Sequence, residues 1–318
     1  MNTATQCPTA QALVAARERI APWIHRTPVQ TCRTLDTQAG ASLFFKCENF
    51  QKAGSFKARG AANAVFSLDD AAAARGVTTH SSGNHGQALA RAAACCGIQA
   101  TIVMPHTAPQ PKIDAVRDYG GHVEFCEPTN AARQARLDEV VAETGAQFIP
   151  PFDDWRVIAG QASCTAEMIE DVPDLDIIIA PIGGGGLISG TALACAQIAP
   201  HIKVFGGEPA AADDAFRSLG TGQRVANDAP DTIADGLKAS LGEITWPVVR
   251  DHVAGIVPVE EDEIVAAMRL IWLRMKIIIE PSCAVALAAI LSQPSFFAGQ
   301  RVGVILTGGN VDIDRLPW

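Results

Sequence analysis

The sequence predicts an α/β protein whose parallel sheets are covered by helices. Short apolar runs rich in Val and Ile recur along the chain, and Ala-rich stretches of helical length lie between them. Several of those runs end in glycine or hydroxyl residues, at the strand ends where such sheets bind ligands. The 318 residues suffice for two moderate domains, each with its own core.

In chain order, residues 43–46, 77–80, 100–104, 122–125, 147–149, 176–181, 203–207 and 301–306 read as strands. Residues 58–66, 87–96, 111–119, 131–143 and 187–198 read as helices. Loop signals at 67–70 and 150–154 mark two crossings. The expected division is a small domain over 67–150, inserted into a large domain built from 1–66 and 151–318.

Composition narrows the function. A net charge of −9, with no Lys/Arg run, argues against nucleic acid as partner. The N-terminus lacks a basic start followed by an apolar stretch, so no secretory signal is expected. The apolar run near Ile277 is broken by Glu280, Pro281 and Ser282, so no membrane span is expected. Nine cysteines without a CxxC pair suggest reduced thiols and a cytoplasmic location.

Four segments carry candidate chemistry. Gly183, Gly184, Gly185 and Gly186 stand between a strand and a helix. Glycines let successive N–H groups converge, and a helix N-terminus favours an anion, so a phosphate site is the natural reading. A tight turn is the plainer alternative. A dinucleotide is another, with Glu208 as the ribose acid, although the pattern is not a clean GxGxxG. Lys57, after Gly54, Ser55 and Phe56, opens a helix. A cation is misplaced at that end of a helix dipole, but a neutral or imine-bound amine is not. The alternative is a solvated surface lysine.

Ser81, Ser82, Gly83, Asn84 and His85 crowd polar groups into one strand-to-helix turn. They form either a donor cluster for an anionic ligand or an ordinary helix cap. Thr307, Gly308, Gly309 and Asn310 end the last strand, as a further ligand contact or a simple turn. Glu208, Asp213 and Asp214 form an acidic group, suited to a hard divalent cation or to plain solvation.

Together these segments resemble the pyridoxal-phosphate enzymes of fold type II, the tryptophan synthase β-like class. The nearest groups are serine racemase, the serine and threonine dehydratases and the 3-hydroxyaspartate dehydratases. The resemblance runs through KCENFQKAGSFKARGAANAV, SSGNHGQALA, PPFDDWRVIAGQ, PIGGGGLISG, GEPAAADD, TIADGL, IIIEPS and LTGGNVD, nearly the whole chain. It implies two domains, each with a parallel sheet, and pyridoxal 5'-phosphate between them. Lys57 would form the imine with the cofactor aldehyde, and Phe56 would pack beside the ring. The four glycines would cradle the phosphate, Asn84 would hold the ring's 3'-oxygen, and Thr307 would meet the pyridine nitrogen.

The same resemblance implies elimination of water from a β-hydroxy-α-amino acid, with Lys57 as base for the α-proton. Ser82 matches the serine that works on the opposite face in serine racemase and keeps racemisation open. Ser81, Ser82, His85 and Arg133 would meet the substrate. Glu208, the Ala212 carbonyl and Asp214 would hold a divalent cation, magnesium first, with manganese or calcium as alternatives. A homodimer is implied, and the short tail after Thr307 leaves no room for the regulatory domain of biosynthetic threonine deaminases. Ala239 replaces a substrate-contacting serine of the racemases, and Phe152 replaces a polar residue. The remaining alternatives are an amino-acid racemase, a phenylserine dehydratase, a β-replacement enzyme and a cofactor-binding protein without turnover.

Overall fold

The computed structural model describes residues 6–227 and 229–318. The strands are β1 (Val29–Gln30), β2 (Ser42–Cys47), β3 (Val77–His80), β4 (Ala100–Pro105) and β5 (His122–Cys126). They continue as β6 (Gln147–Phe148), β7 (Ile177–Pro181), β8 (Lys203–Pro209), β9 (Gly255–Val259) and β10 (Arg301–Leu306). One sheet has the order β1-β2-β10-β7-β8-β9 and the other β5-β4-β3-β6. Among the strands of the described residues, only the β1–β2 pair is antiparallel. The four-stranded sheet uses strands between 77 and 148, and the six-stranded sheet uses strands from both sides of that stretch.

Parallel neighbours need long crossovers, which here are helices on both sheet faces. That is why β7 reads Ile-Ile-Ile-Ala-Pro and is buried throughout. On one face of the six-stranded sheet lie the helices Trp155–Asp171 and Gly186–Ile198; on the other lie Glu261–Met275 and Pro281–Ser292. Pro281–Ser292 is apolar all round, starts with proline at its first turn and is buried along most of its length. The small sheet is covered by Lys57–Phe66 and Asn84–Cys95 on one side and by Asn130–Thr144 on the other.

The strands β1 and β9 lie outside the sequence expectation. β1 is two residues long, and β9 carries Pro258 at a sheet edge, where a missing donor is tolerated. Helix starts also move. The helix expected from 87 begins at Asn84, and Ile149 lies just past β6 while still donating to the Thr78 carbonyl.

One helix crossing sets the site. Lys57–Phe66 packs into the core of the small sheet and also crosses Trp155–Asp171 of the large one. A Cβ on Gly160 would lie 2.7 Å from Gly60 Cα, so only glycine allows this approach. Gln161 Oε1 accepts the Gly60 N–H at 3.1 Å and ties the crossing. Asp154 caps Trp155–Asp171 by accepting from Arg156 N at 2.7 Å, so the preceding loop enters at a defined angle.

Candidate active site

Lys57 is the first residue of its helix. The chain reaches it through Ala53, whose φ of +55° is a left-handed conformation uncommon outside glycine. An isolated bridge joins Ser55 to Gly308, and Phe56 N donates to the Thr307 carbonyl at 3.0 Å. The approach to Lys57 is therefore fastened to the turn after β10. The half-buried Lys57 side chain donates to the Pro151 carbonyl at 2.6 Å, and its Nζ lies 5.0 Å from the Phe56 ring centre. Burial lowers its pKa to about 8, and Glu280 opposes part of that fall.

The four glycines follow β7 and open the helix Gly186–Ile198, all of them buried. Their N–H groups meet no hydrogen-bond acceptor among the described residues. Buried donors of this kind are costly unless a ligand accepts from them. Phe152 lies against the loop so closely that a Cβ on Gly184 would sit 2.3 Å from its ring.

The polar turn behaves differently from a helix cap. Gly83 is the N-cap of Asn84–Cys95, with no side-chain cap bond. Ser81 Oγ accepts the Gly83 N–H at 3.3 Å, and Asn84 turns its amide away from the helix. Asn84 Nδ2 donates to Glu280 Oε1 at 2.8 Å, and Asn310 Nδ2 donates to Asn84 Oδ1 at 2.8 Å. Glu280 is buried without a cation in contact; burial and then Asp235 push its pKa up to about 8. His85 is buried and its Nε2 meets the Ile149 carbonyl at 2.9 Å. Burial, with Lys57 next, lowers its pKa to about 3, so its ring is neutral at pH 7.

Residues 20–308 match the model of the family described as pyridoxal-phosphate dependent enzyme. A β-hydroxyaspartate dehydratase of Paracoccus denitrificans is 55% identical over 98% of this chain and 99% of its own length. The chain belongs to the pyridoxal-phosphate-dependent enzymes. Solved relatives of this family share its architecture. The serine racemase of Dictyostelium discoideum is 47% identical, with a TM-score of 0.91 over 95% of this chain and 98% of its own. The threonine deaminase of T.th. is 41% identical, with a TM-score of 0.92 over 96% and 99%. The fold is thus the fold type II arrangement that the motifs implied.

The residues present fit this family's cofactor. The buried, unpaired N–H groups of the glycine loop suit a phosphate. A lysine amine with a lowered pKa suits imine formation with an aldehyde. Thr307, Asn84 and Phe56 are brought to the same place by the pairing of 53–56 with the turn after β10 and by the Asn84–Asn310 bond. Arg133 comes from the first turn of Asn130–Thr144 and stands near His80, just before the serine turn. Its Nε is buried without a partner; burial, then the Arg133 charge, holds the His80 pKa down.

The acidic group lies apart, at the end of β8. Glu208 accepts from Ala215 N at 3.0 Å and Phe216 N at 2.8 Å. Asp214 Oδ2 accepts from Leu241 N at 2.9 Å, while its Oδ1 is buried without a partner. Burial raises Glu208 to about 8 and Asp214 to about 6. Asp213 instead pairs with Arg217 at 2.7 Å. Among the described residues no three His, Cys, Asp or Glu side chains converge, so any cation here also depends on the Ala212 carbonyl and water.

Asn310 belongs to the turn 307–310 that the sequence offered as a ligand contact, but Glu280 and the Pro151 carbonyl were not singled out as site groups. An acid ending the apolar run Ile277, Ile278, Ile279 was a signal for Glu280. A backbone carbonyl leaves none. All nine cysteines are free thiols, and no helix among the described residues is long and apolar enough to cross a membrane.

Proposed function

We propose that this enzyme eliminates water from a β-hydroxy-α-amino acid, with 3-hydroxyaspartate as the leading substrate, giving a 2-oxo acid and ammonia. The observation that carries the reading is the Lys57 amine. Its pKa is lowered to about 8, and it donates to the Pro151 carbonyl, next to the Phe152 that packs on the buried glycine loop, in a chain 55% identical to a β-hydroxyaspartate dehydratase.

Lys57, Phe56, Asn84, Thr307 and the four glycines are the residues that would hold pyridoxal phosphate. When bound, that group withdraws electrons from the substrate's α-carbon. Lys57 then takes the α-proton, a task suited to an amine that is substantially neutral near pH 8. Thr307 would offer the pyridine nitrogen a neutral hydroxyl, which would not keep that nitrogen protonated. Ser81, Ser82 and the neutral His85 would meet the substrate. Arg133, with its unpaired Nε, is the natural partner for a second carboxylate, which serine and threonine lack.

We further propose that Glu208, Ala212 and Asp214 hold magnesium or a similar divalent cation. The orphan Asp214 Oδ1 and the two raised carboxyl groups support this. A cytoplasmic homodimer, with a small domain over 67–150, completes the proposal; the nine free thiols support the location.

The test is 2-oxo acid and ammonia release from purified protein with magnesium. The stereoisomers of 3-hydroxyaspartate would be compared with L-serine, L-threonine and phenylserine. Strong preference for one hydroxyaspartate isomer is expected. Turnover of serine or threonine alone would overturn the substrate choice, and no keto acid from any of them would overturn dehydration. A second reading, racemisation, is favoured by Ser82, which stands half-buried in the turn that opens Asn84–Cys95. Loss of optical rotation in recovered substrate would establish it.

A further inference from the structure

Behind the glycine loop stands one hydroxyl that neither the family match nor the motifs assign. Thr245 is fully buried at the start of the helix Thr245–His252. Its Oγ1 donates to the Gly184 carbonyl at 2.8 Å and accepts from Gly242 N at 2.8 Å. The hydroxyl is thus used in both directions, away from its own helix. The N-terminus of that helix is served instead by Asp153, whose carboxylate accepts from Glu243 N at 3.0 Å, Ile244 N at 2.8 Å and Thr245 N at 3.2 Å.

A trans peptide points its carbonyl and its N–H in opposite directions. Holding the Gly184 oxygen toward Thr245 therefore turns the Gly185 N–H away from Thr245. Gly185 has φ +89°, and a Cβ there would sit 2.8 Å from both Leu241 and Thr245. The peptide is wedged from behind, and its oxygen is pinned by the short Thr245 bond, with Gly242 N adding a longer one at 3.4 Å. Glycine chains turn such peptides easily, so an unpinned Gly-Gly unit would sample other orientations.

We infer that Thr245 is a positioning residue for the phosphate cradle: its hydroxyl fixes the Gly184–Gly185 peptide so that the Gly185 N–H is set for an anion. The inference rests on the phosphate reading of the glycine loop. It predicts that Thr245 governs affinity for the phosphate part of the cofactor and not for its ring.

The holoenzyme, resolved of cofactor and then titrated with pyridoxal phosphate and with pyridoxal, tests this. Wild type binds pyridoxal phosphate far more tightly than pyridoxal. Thr245→Val keeps the shape and loses the hydroxyl. It weakens pyridoxal phosphate about tenfold, the loss of one well-made hydrogen bond, and leaves pyridoxal affinity unchanged. Thr245→Ser restores wild-type binding. An unchanged preference for the phosphorylated form in Thr245→Val overturns the inference and leaves the cradle standing. Equal weakening of both ligands also overturns it, because the hydroxyl then serves the fold at large. No phosphate preference in the wild type overturns the cradle reading itself.

Discussion

Lys57 and Arg59 stand two residues apart on one helix and live in opposite electrostatic surroundings. Arg59 points into the large domain, fully buried. It donates to Glu48 Oε2 at 2.7 Å and Oε1 at 2.8 Å, and to both oxygens of Glu167 at 2.8 Å. Lys46 Nζ, also fully buried, adds a 2.8 Å bond to Glu167. Two cations face two carboxylates. Burial opposes the Arg59 charge, yet its partners hold its pKa well above the ordinary value. Lys57 meets only a carbonyl, and burial brings its pKa down to about 8.

The acids divide the same way. Glu167 is held below the usual range: burial would raise it, but hydrogen bonds from Arg59 and the nearby charges lower it. Glu280, with amide donors but no cation in contact, is pushed up to about 8 by burial. Burial is common to both regions, so burial alone does not mark a functional group. What separates them is completeness. The Arg59 network is closed within the chain, whereas the Lys57 region leaves an amine and an acid without an opposite charge in contact and the glycine-loop N–H groups without acceptors among the described residues.

The largest effect that would sharpen this contrast is at Lys57. Lys57→Ala should lower turnover by at least about a thousandfold while leaving the fold intact. Borohydride should then no longer fix the cofactor to the chain. Undiminished fixation would mean that another lysine carries it.

Next comes the closed network. Arg59→Met should destabilise the protein by about 3–5 kcal/mol, because two buried carboxylates lose their partner. Urea unfolding measures it, and a loss under about 1 kcal/mol would break the contrast.

Chelation should act more mildly. Removing divalent cations should lower the melting temperature, and magnesium at a hundredfold excess over its dissociation constant should restore about 2.7 kcal/mol. Asp214→Asn should abolish the response; a response that survives would place the ion elsewhere.

The gentlest effect is a slope. Glu280 is protonated in the fold up to about pH 8, but an ordinary carboxyl ionises near pH 4.5 once unfolded. The folded state therefore binds the extra proton between those values, and its stability falls as pH rises through them, by no more than about 1.4 kcal/mol per unit. Glu280→Gln should flatten that part of the curve in cofactor-free protein. An identical slope in the variant would mean that Glu280 is ionised in the fold.

Much of this protein was legible from the sequence because its signals are local. The run Ile177, Ile178, Ile179 announces a strand covered on both faces, and four glycines before a helix announce an anion site wherever the chain goes. The lysine opening its helix was already out of place on dipole grounds. β1 and β9 escaped because two residues or a proline carry too little pattern.

Only the tertiary structure decided which groups meet. Pro151 lies 94 positions from the amine it accepts, Glu280 lies 196 from Asn84, and Thr245 lies 61 from the carbonyl it holds. Such contacts depend on the closure of two sheets and on a helix crossing at Gly60 and Gly160, which composition and periodicity do not encode. The sequence by itself determined the elements and most of the reactive side chains. Tertiary packing decided which of them are partnered, and so which remain reactive, because desolvation and charge pairing act through space and not along the chain.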